Sequence, residues 1–492
     1  MAVTIRGPPS RRLKNKSAPC PRLAAIRKVT SPFGRKFTKR SAKSEQRGQR
    51  EEAASIFRQQ AVESFCLRTF VLCVGLLACS ASTLANNEPC PRRDPEIVVP
   101  EGFCVTIFAD HIGHARHLVV GPDNTVYVNT WSGRYYDYDK PPEGGFVIAL
   151  KDRDGDGVAD VTTHSGPSAS QGGHGGTGIA FYDQKLFVEE SDKIVRYEIM
   201  PDGSVTGRGK IVVDRLPLGG AHPVHPFAID HGGRLFIAPG SATNACEDSD
   251  QHPRGESPCQ ELATRAGVWL YDANRTGQHF SPNERYATGC RNAEGLDFDK
   301  SGRLYATQHG RGRLHENWPE LYDEQQDFEL PAEELTIIRR GASYGWPLCY
   351  FDAAQHKRVL APEYGGDGKK VGPCAREEIP VAVFPAHWAP NDMKIYKGSS
   401  FPETYQGGAF IAFHGSFNPA GPHGGYNVVF QPLKDGVAVG PFLVFADGFS
   451  RVAKEPKRAA HRPSGIAVGP DGALYVADDK AGRVWRVTFE RQ

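Results

Sequence analysis

The stretch Ile466-Ala467-Val468-Gly469-Pro470-Asp471-Gly472-Ala473-Leu474-Tyr475-Val476 sets an apolar triplet, a polar turn and a second apolar triplet in one run. Near the other end of the chain, Leu118-Val119-Val120-Gly121-Pro122-Asp123-Asn124-Thr125-Val126-Tyr127-Val128 repeats it almost residue for residue. Apolar residues flanking an Asp-Gly type of turn read as a β-hairpin. The pattern recurs at 227–237 and 296–306, and more loosely at 179–188 and 394–413. A lone hairpin cannot bury its apolar face, whereas a ring of blades can. The expected fold is therefore all-β, a six-bladed β-propeller; a β-sandwich or two barrels is the alternative. The spacing exceeds the ~40–45 residues of a minimal blade, so loops must be elaborate. The longest interval holds Arg311 to Pro390. Long loops on a rigid ring are where a site is built.

Composition agrees with many short strands and turns. The 492 residues include 54 Gly and 37 Pro, spread between short apolar runs. The formal net charge of +2 hides a basic head, with runs such as Arg11-Arg12-Leu13-Lys14 and Arg35-Lys36-Phe37-Thr38-Lys39-Arg40. Without that head the chain is mildly acidic, so no nucleic-acid partner is expected.

Residues 69–82 form a short apolar run, followed by small residues and Asn86-Asn87-Glu88-Pro89. That is the layout of a secretory signal rather than a membrane span. The expected organisation is a disordered basic leader over 1–65, whose start could lie outside the true reading frame, then a signal over 66–85 and a propeller over 90–490. Leu76-Leu77-Ala78-Cys79 resembles a lipobox, so Cys79 is a candidate lipid anchor and the only expected membrane contact. The protein is expected to be exported: periplasmic, anchored to an outer membrane, or secreted. Seven cysteines follow the signal, with no Cys-x-x-Cys pair, which argues against zinc. Near neighbours close the shortest loops: Cys90–Cys104, Cys246–Cys259 and Cys349–Cys374, leaving Cys290.

Four clusters pair polar residues with glycine or proline just before a hairpin copy. They start at His174, His222 (with His225), Cys290-Arg291-Asn292 (with Glu294) and His461-Arg462. The innermost strand of each blade lines the channel, so such residues from different blades converge on one axis as a small-molecule pocket.

Here the residues carry a resemblance. Arg291-Asn292 before Gly295-Leu296, Glu333-Glu334-Leu335-Thr336, Tyr344-Gly345-Trp346-Pro347, Gly240-Ser241 with Asn244, and His414-Gly415-Ser416-Phe417-Asn418 resemble the signature of the glucose/sorbosone dehydrogenase family. The similarity spans 96–488 and is nearer to the sorbosone-type branch. It implies a pyrroloquinoline quinone across the channel, with calcium on its quinone oxygen, and a sugar substrate whose electrons pass to an external quinone or cytochrome. His222 would be the general base, a role suited to imidazole. Arg291 would stabilise charge on the quinone oxygen, with Asn292 beside it. Arg462 would meet cofactor carboxylates; His414, Tyr344, Trp346 and His174 complete the cofactor-binding set. Calcium would sit at the backbone carbonyls of Gly310 and Arg311. The family commonly has His where this chain has Cys290 and Arg where it has His225. Its lysine near the cofactor has no evident match, His414 being the nearest polar residue.

Asp152-Arg153-Asp154-Gly155-Asp156, continuing to Asp160, copies the front of an EF-hand loop and is a second calcium candidate. The loop lacks the Glu that such loops carry at position twelve. Two other classes remain open. A calcium-dependent lactonase-type hydrolase needs carboxylates converging on the channel; a non-catalytic sugar- or ligand-binding propeller keeps the ring without the cofactor.

Overall fold

The computed structural model describes residue 90 and residues 92–132, 143–167, 176–249, 252–416 and 423–490. The leader, the signal, Cys79, His174, Phe417 and Asn418 lie outside them. Among the described residues no helix is long and apolar enough to cross a membrane.

Six sheets, antiparallel but for one short edge strand on blade 2, form a ring of six blades. The inner strands, in order of blades 1 to 6, are Ala115–Val120, Ile179–Tyr182, Phe227–Ile229, Leu296–Phe298, Pro390–Ile395 and Pro463–Val468. Each opens one copy of the sequence repeat, and each lies against its neighbours around the ring. Blades 1 to 5 are built outwards from the axis in chain order, and blade 2 gains a short edge strand, Gln278–His279, from the blade 3 segment. Blade 6 takes its outermost strand, Phe103–Ala109, from the start of the propeller and pairs it with the last strand, Arg483–Phe489.

The repeat produces this shape because strand side chains alternate. In the second strand of blade 4, Leu304 and Ala306 pack towards blade 3 while Tyr305 packs towards blade 5. In blade 5, Ala409, Ile411 and Phe413 face blade 4, and Phe410 and Ala412 face blade 6. The core is thus a ring of six wedges, one between each pair of neighbouring blades. The wedge between blades 5 and 6 is the most aromatic, with Phe401, Phe410, Phe430, Phe445 and Trp485.

The long loops gather on blades 3 and 4. Disulfides join Cys246 to Cys259 and Cys349 to Cys374, Cys90 is bonded to Cys104, and Cys290 is free, as the spacing argument expects. The blade 4 insertion has its own small core of Leu314, Tyr322, Leu330, Tyr350 and Val359. It packs on the blade 3 loop so closely that a Cβ on Gly255 would stand 2.3 Å from the Tyr364 ring, which only glycine tolerates.

Candidate functional site

The segments that precede or flank the inner strands meet at one end of the channel. His222 comes from the loop before blade 3. Its Nδ1 donates to the Ser241 carbonyl at 2.9 Å, which leaves Nε2 with the lone pair. Burial, and then the nearby Arg291 guanidinium, hold its pKa well below the usual histidine value. The imidazole is therefore neutral near pH 7, in the tautomer a base requires.

Arg291 and Asn292 precede blade 4. Arg291 spends Nε on the Asn244 carbonyl and Nη2 on Asn244 Oδ1, while Nη1 donates to the Gly310 carbonyl at 2.9 Å. Asn244 also binds Trp346, whose indole N–H donates to its carbonyl at 2.9 Å. Behind them a cavity of about 20 Å³, bordered by Gly310 and Trp346, has room for about one water. Asn292 is buried, and its Oδ1 has no hydrogen bond among the described residues. Gly240 explains how closely these loops meet: a Cβ there would stand 2.5 Å from His222 Cβ and 2.6 Å from Asn292 Oδ1.

From blade 5 comes His414, whose Nε2 lies 2.8 Å from Asp479 Oδ1 of blade 6. Arg462 donates Nε to the His414 carbonyl and Nη2 to the Gly415 carbonyl, and stacks over Tyr426 with 5.4 Å to the ring centroid. His309, half-buried, is held at a pKa of about 4 by burial, despite Glu294 beside it.

Sequence reasoning missed the group at the centre. Arg116, on the inner strand of blade 1, donates to Asp479 Oδ2 at 2.7 Å, to Glu294 Oε2 at 3.1 Å and to Thr177 Oγ1 at 3.2 Å. All these side chains are buried, and all but Thr177 are charged. Burial opposes ionisation of Asp479, but His414, Arg116 and Arg462 together hold its carboxyl far below the usual range. The signal was available: His114-Ala115-Arg116-His117 precedes the first hairpin copy as the other clusters precede theirs.

Several expected members lie elsewhere. Tyr344 is no wall of the site: it is fully buried between blades 3 and 4 and donates to the Ile337 carbonyl at 2.6 Å. Cys290 packs in that same wedge, where burial pushes its thiol pKa up. His225 turns away from the channel, with Nδ1 3.0 Å from Glu189 and Nε2 2.9 Å from the Pro217 carbonyl. The Arg311 side chain points into the insertion and pairs with Glu363 at 2.5 Å. The Asp152, Asp154 and Asp156 carboxylates lie within 4.8 Å of one another in an outer loop of blade 1. Asp160 instead accepts from the Arg153 N–H at 2.9 Å.

The residues suit the two cofactors unequally. Arg116, Arg291 and Arg462 set three positive charges against Glu294 and Asp479, with Glu333, its pKa raised to about 7 by burial, beside Gly310; the orphaned Asn292 Oδ1 is an acceptor, so the site suits a planar anion that also carries an N–H or O–H donor. A dication on the Gly310 carbonyl is poorly served, because the Arg291 guanidinium already donates to that oxygen.

The TrAA12-like family model matches residues 97–490. A curated relative, an uncharacterised protein of Borreliella burgdorferi, is 29% identical over 432 residues, covering 86% of this chain and 97% of that protein. Among solved structures, the holo form of the pyranose dehydrogenase PQQ domain from Coprinopsis cinerea superimposes with a TM-score of 0.62 at 18% identity, over 81% of this chain and 98% of that one. A calcium structure of a Trichoderma reesei carbohydrate-active enzyme of family AA12 gives a TM-score of 0.64 at 16% identity, over 82% and 99%. At these identities the likeness carries the fold.

Proposed function

The chain belongs to the TrAA12-like family, and from that membership we propose that it is an exported, pyrroloquinoline quinone-dependent dehydrogenase of a glucose- or sorbosone-like aldose. The observation that carries this reading is the state of His222: a neutral imidazole fixed through Nδ1, next to an arginine and an unpartnered buried amide oxygen. The quinone, when bound, supplies the hydride acceptor. His222 Nε2 takes the proton of the sugar hydroxyl, which fits a base of lowered pKa. Arg291, pinned by Asn244 and Gly310, provides fixed positive charge where charge develops. Asn292, whose Nδ2 donates to Glu294, supplies an acceptor, Oδ1, for a donor of the ligand. Arg462, with its Nε and Nη2 on backbone carbonyls, shapes the His414–Ser416 segment against the cofactor. The proposed calcium place at Gly310 and Arg311 rests on the resemblance, and the Asp152–Asp156 cluster is an outer, structural alternative. Electrons would leave to an external quinone or cytochrome.

Three disulfides favour an oxidising compartment and hence export. A hydrolase of the lactonase type is disfavoured because Glu294 and Asp479 are both bound to Arg116. A ligand-binding propeller without turnover is the second reading, favoured by the carbonyls that occupy Arg462. The test adds pyrroloquinoline quinone and calcium to the purified chain and follows the quinone spectrum. Reduction on addition of an aldose supports the dehydrogenase, binding without reduction supports the second reading, and no binding overturns both cofactor roles.

A further inference from the structure

The sequence repeat departs from its own pattern in two neighbouring blades. Blades 3 and 4 carry Asp230-His231-Gly232-Gly233-Arg234 and Asp299-Lys300-Ser301-Gly302-Arg303, whereas blades 1 and 6 have Thr125 and Ala473 where these two have arginine. Inner strands run from the site towards these turns, so both arginines emerge on the opposite face of the ring. Each turn aspartate accepts from the Gly or Ser N–H two residues on and from the arginine N–H, which fixes the turn. Its second oxygen then takes the arginine Nε, at 2.6 Å in both blades. Among the described residues, no hydrogen bond uses the Nη atoms of Arg234 or Arg303.

Between these turns lies a cleft of about 240 Å³. Its lining includes Phe236, Tyr286, Phe298, Leu304 and Ile337, mostly buried beneath the arginines, with the Arg234 guanidinium 5.6 Å from the Phe236 ring centroid. Arg340 closes one side, stacked on Tyr286 with 4.9 Å to the ring centroid, and no ion pair or hydrogen bond of its side chain occurs among the described residues. Arg339 also borders the cleft and is paired with Glu378 at 2.6 Å. Counting the carboxylates Asp230, Asp299 and Glu378 against the four arginines leaves one positive charge in excess, that of Arg340. Asp435 adds only a weak opposing field at Arg303.

We propose that this cleft binds a small aromatic carboxylate. Guanidinium groups held through Nε present their two terminal N–H groups as a fork matched to a carboxylate. The floor accepts a ring by edge and face contacts, and Arg340 adds a cation over the π-face. A bare inorganic anion would leave the floor wet, and a neutral ring would leave the forks unspent. The site lies at the far end of the channel from His222, so it is independent of the redox reading.

The experiment is calorimetric titration of the full exported chain with benzoate, with benzyl alcohol and inorganic phosphate as the uncharged-ring and ringless probes. Benzoate should bind with a Kd in about the millimolar range or below, and neither control should match it. Arg340→Ala and Arg234→Gln, both at exposed side chains, should each weaken benzoate by about tenfold, the value of one charge-assisted contact. Circular dichroism of both variants establishes that the ring is intact. Absence of benzoate binding, equal binding of phosphate or of benzyl alcohol, or unchanged affinity in the two variants would each overturn the assignment.

Discussion

Arg116 and Glu294 meet at 3.1 Å although their segments belong to blades 1 and 4, on opposite sides of a six-bladed ring. The pair therefore spans the channel, and Asp479 of blade 6 joins it at 2.7 Å. A ligand entering beside His222 meets a charged, hydrogen-bonded floor rather than an open bore. Such a bridge is costly to break, because removing one member leaves the others buried and unpaired.

Arg116→Ala should consequently destabilise the propeller by about 3–5 kcal/mol. Arg116→Lys should recover little of it, since one ammonium cannot reproduce a planar fork shared among Asp479, Glu294 and Thr177. Urea midpoints of the three proteins decide this. A lysine variant as stable as the wild type would show that only the charge matters there.

His222→Ala should lower turnover by about 10²–10⁴-fold with little change in quinone affinity. The pH profile carries a sharper test. His222 has its pKa depressed well below the ordinary value by burial and by Arg291, so the base is already unprotonated at pH 6.5. The acid limb of kcat/KM should fall well below that pH. A limb at or above 6.5 would place the base elsewhere.

Acid stability follows from the same histidines. His117, His222, His309 and His414 all have lowered pKa values, burial being the largest cause in each. The unfolded chain protonates near the ordinary value of about 6.5, where the folded one does not. Their contribution is complete above about 6.5 and is lost as pH falls, through about 4 for His309. Melting temperature should drop steeply across that window, and His309→Gln should make the drop shallower.

Thiol chemistry tests the disulfide frame. In a chain beginning at Cys90, a thiol reagent should find nothing in the native state and Cys290 alone after unfolding without reductant, since Cys290 is 1% exposed and the other six are bonded. Reaction of Cys290 in the native protein would mean that the wedge between blades 3 and 4 opens.

The ring was legible because each blade announces itself locally. Turn residues such as Gly469-Pro470-Asp471-Gly472 and period-two apolar triplets need no partner to be recognised. Neighbouring cysteines were paired correctly for a similar reason, as short loops dominate closure entropy. The site was only half legible. His222, Arg291, Asn292 and Arg462 do come to one end of the channel, because their position ahead of an inner strand dictates it, and His414 reaches the same end from the close of the second strand of blade 5. Cys290 sits in a comparable sequence context, and Tyr344 in the loop after the third strand of blade 4, yet both point into a wedge, since loop curvature decides the direction. Arg116 and Asp479 stayed hidden, and Glu294 was seen only as a member of its cluster, because their meaning lies in pairings between remote blades, and the pattern of any one of them is an ordinary charged residue.

The seam in blade 6 has a consequence for how the molecule comes into being. Thr106 and Arg486, paired across it, stand 380 positions apart. Loop closure over such a span must be met before any of the seam's contacts form, and contacts of that separation slow folding. A chain emerging vectorially, from a ribosome or an export pore, therefore presents five blades and one unsatisfied edge until its final strand arrives. During that interval the exposed first strand is an aggregation hazard. A relocated opening, made by joining the ends and cutting between two blades, should fold faster than the natural arrangement if that wait governs the rate.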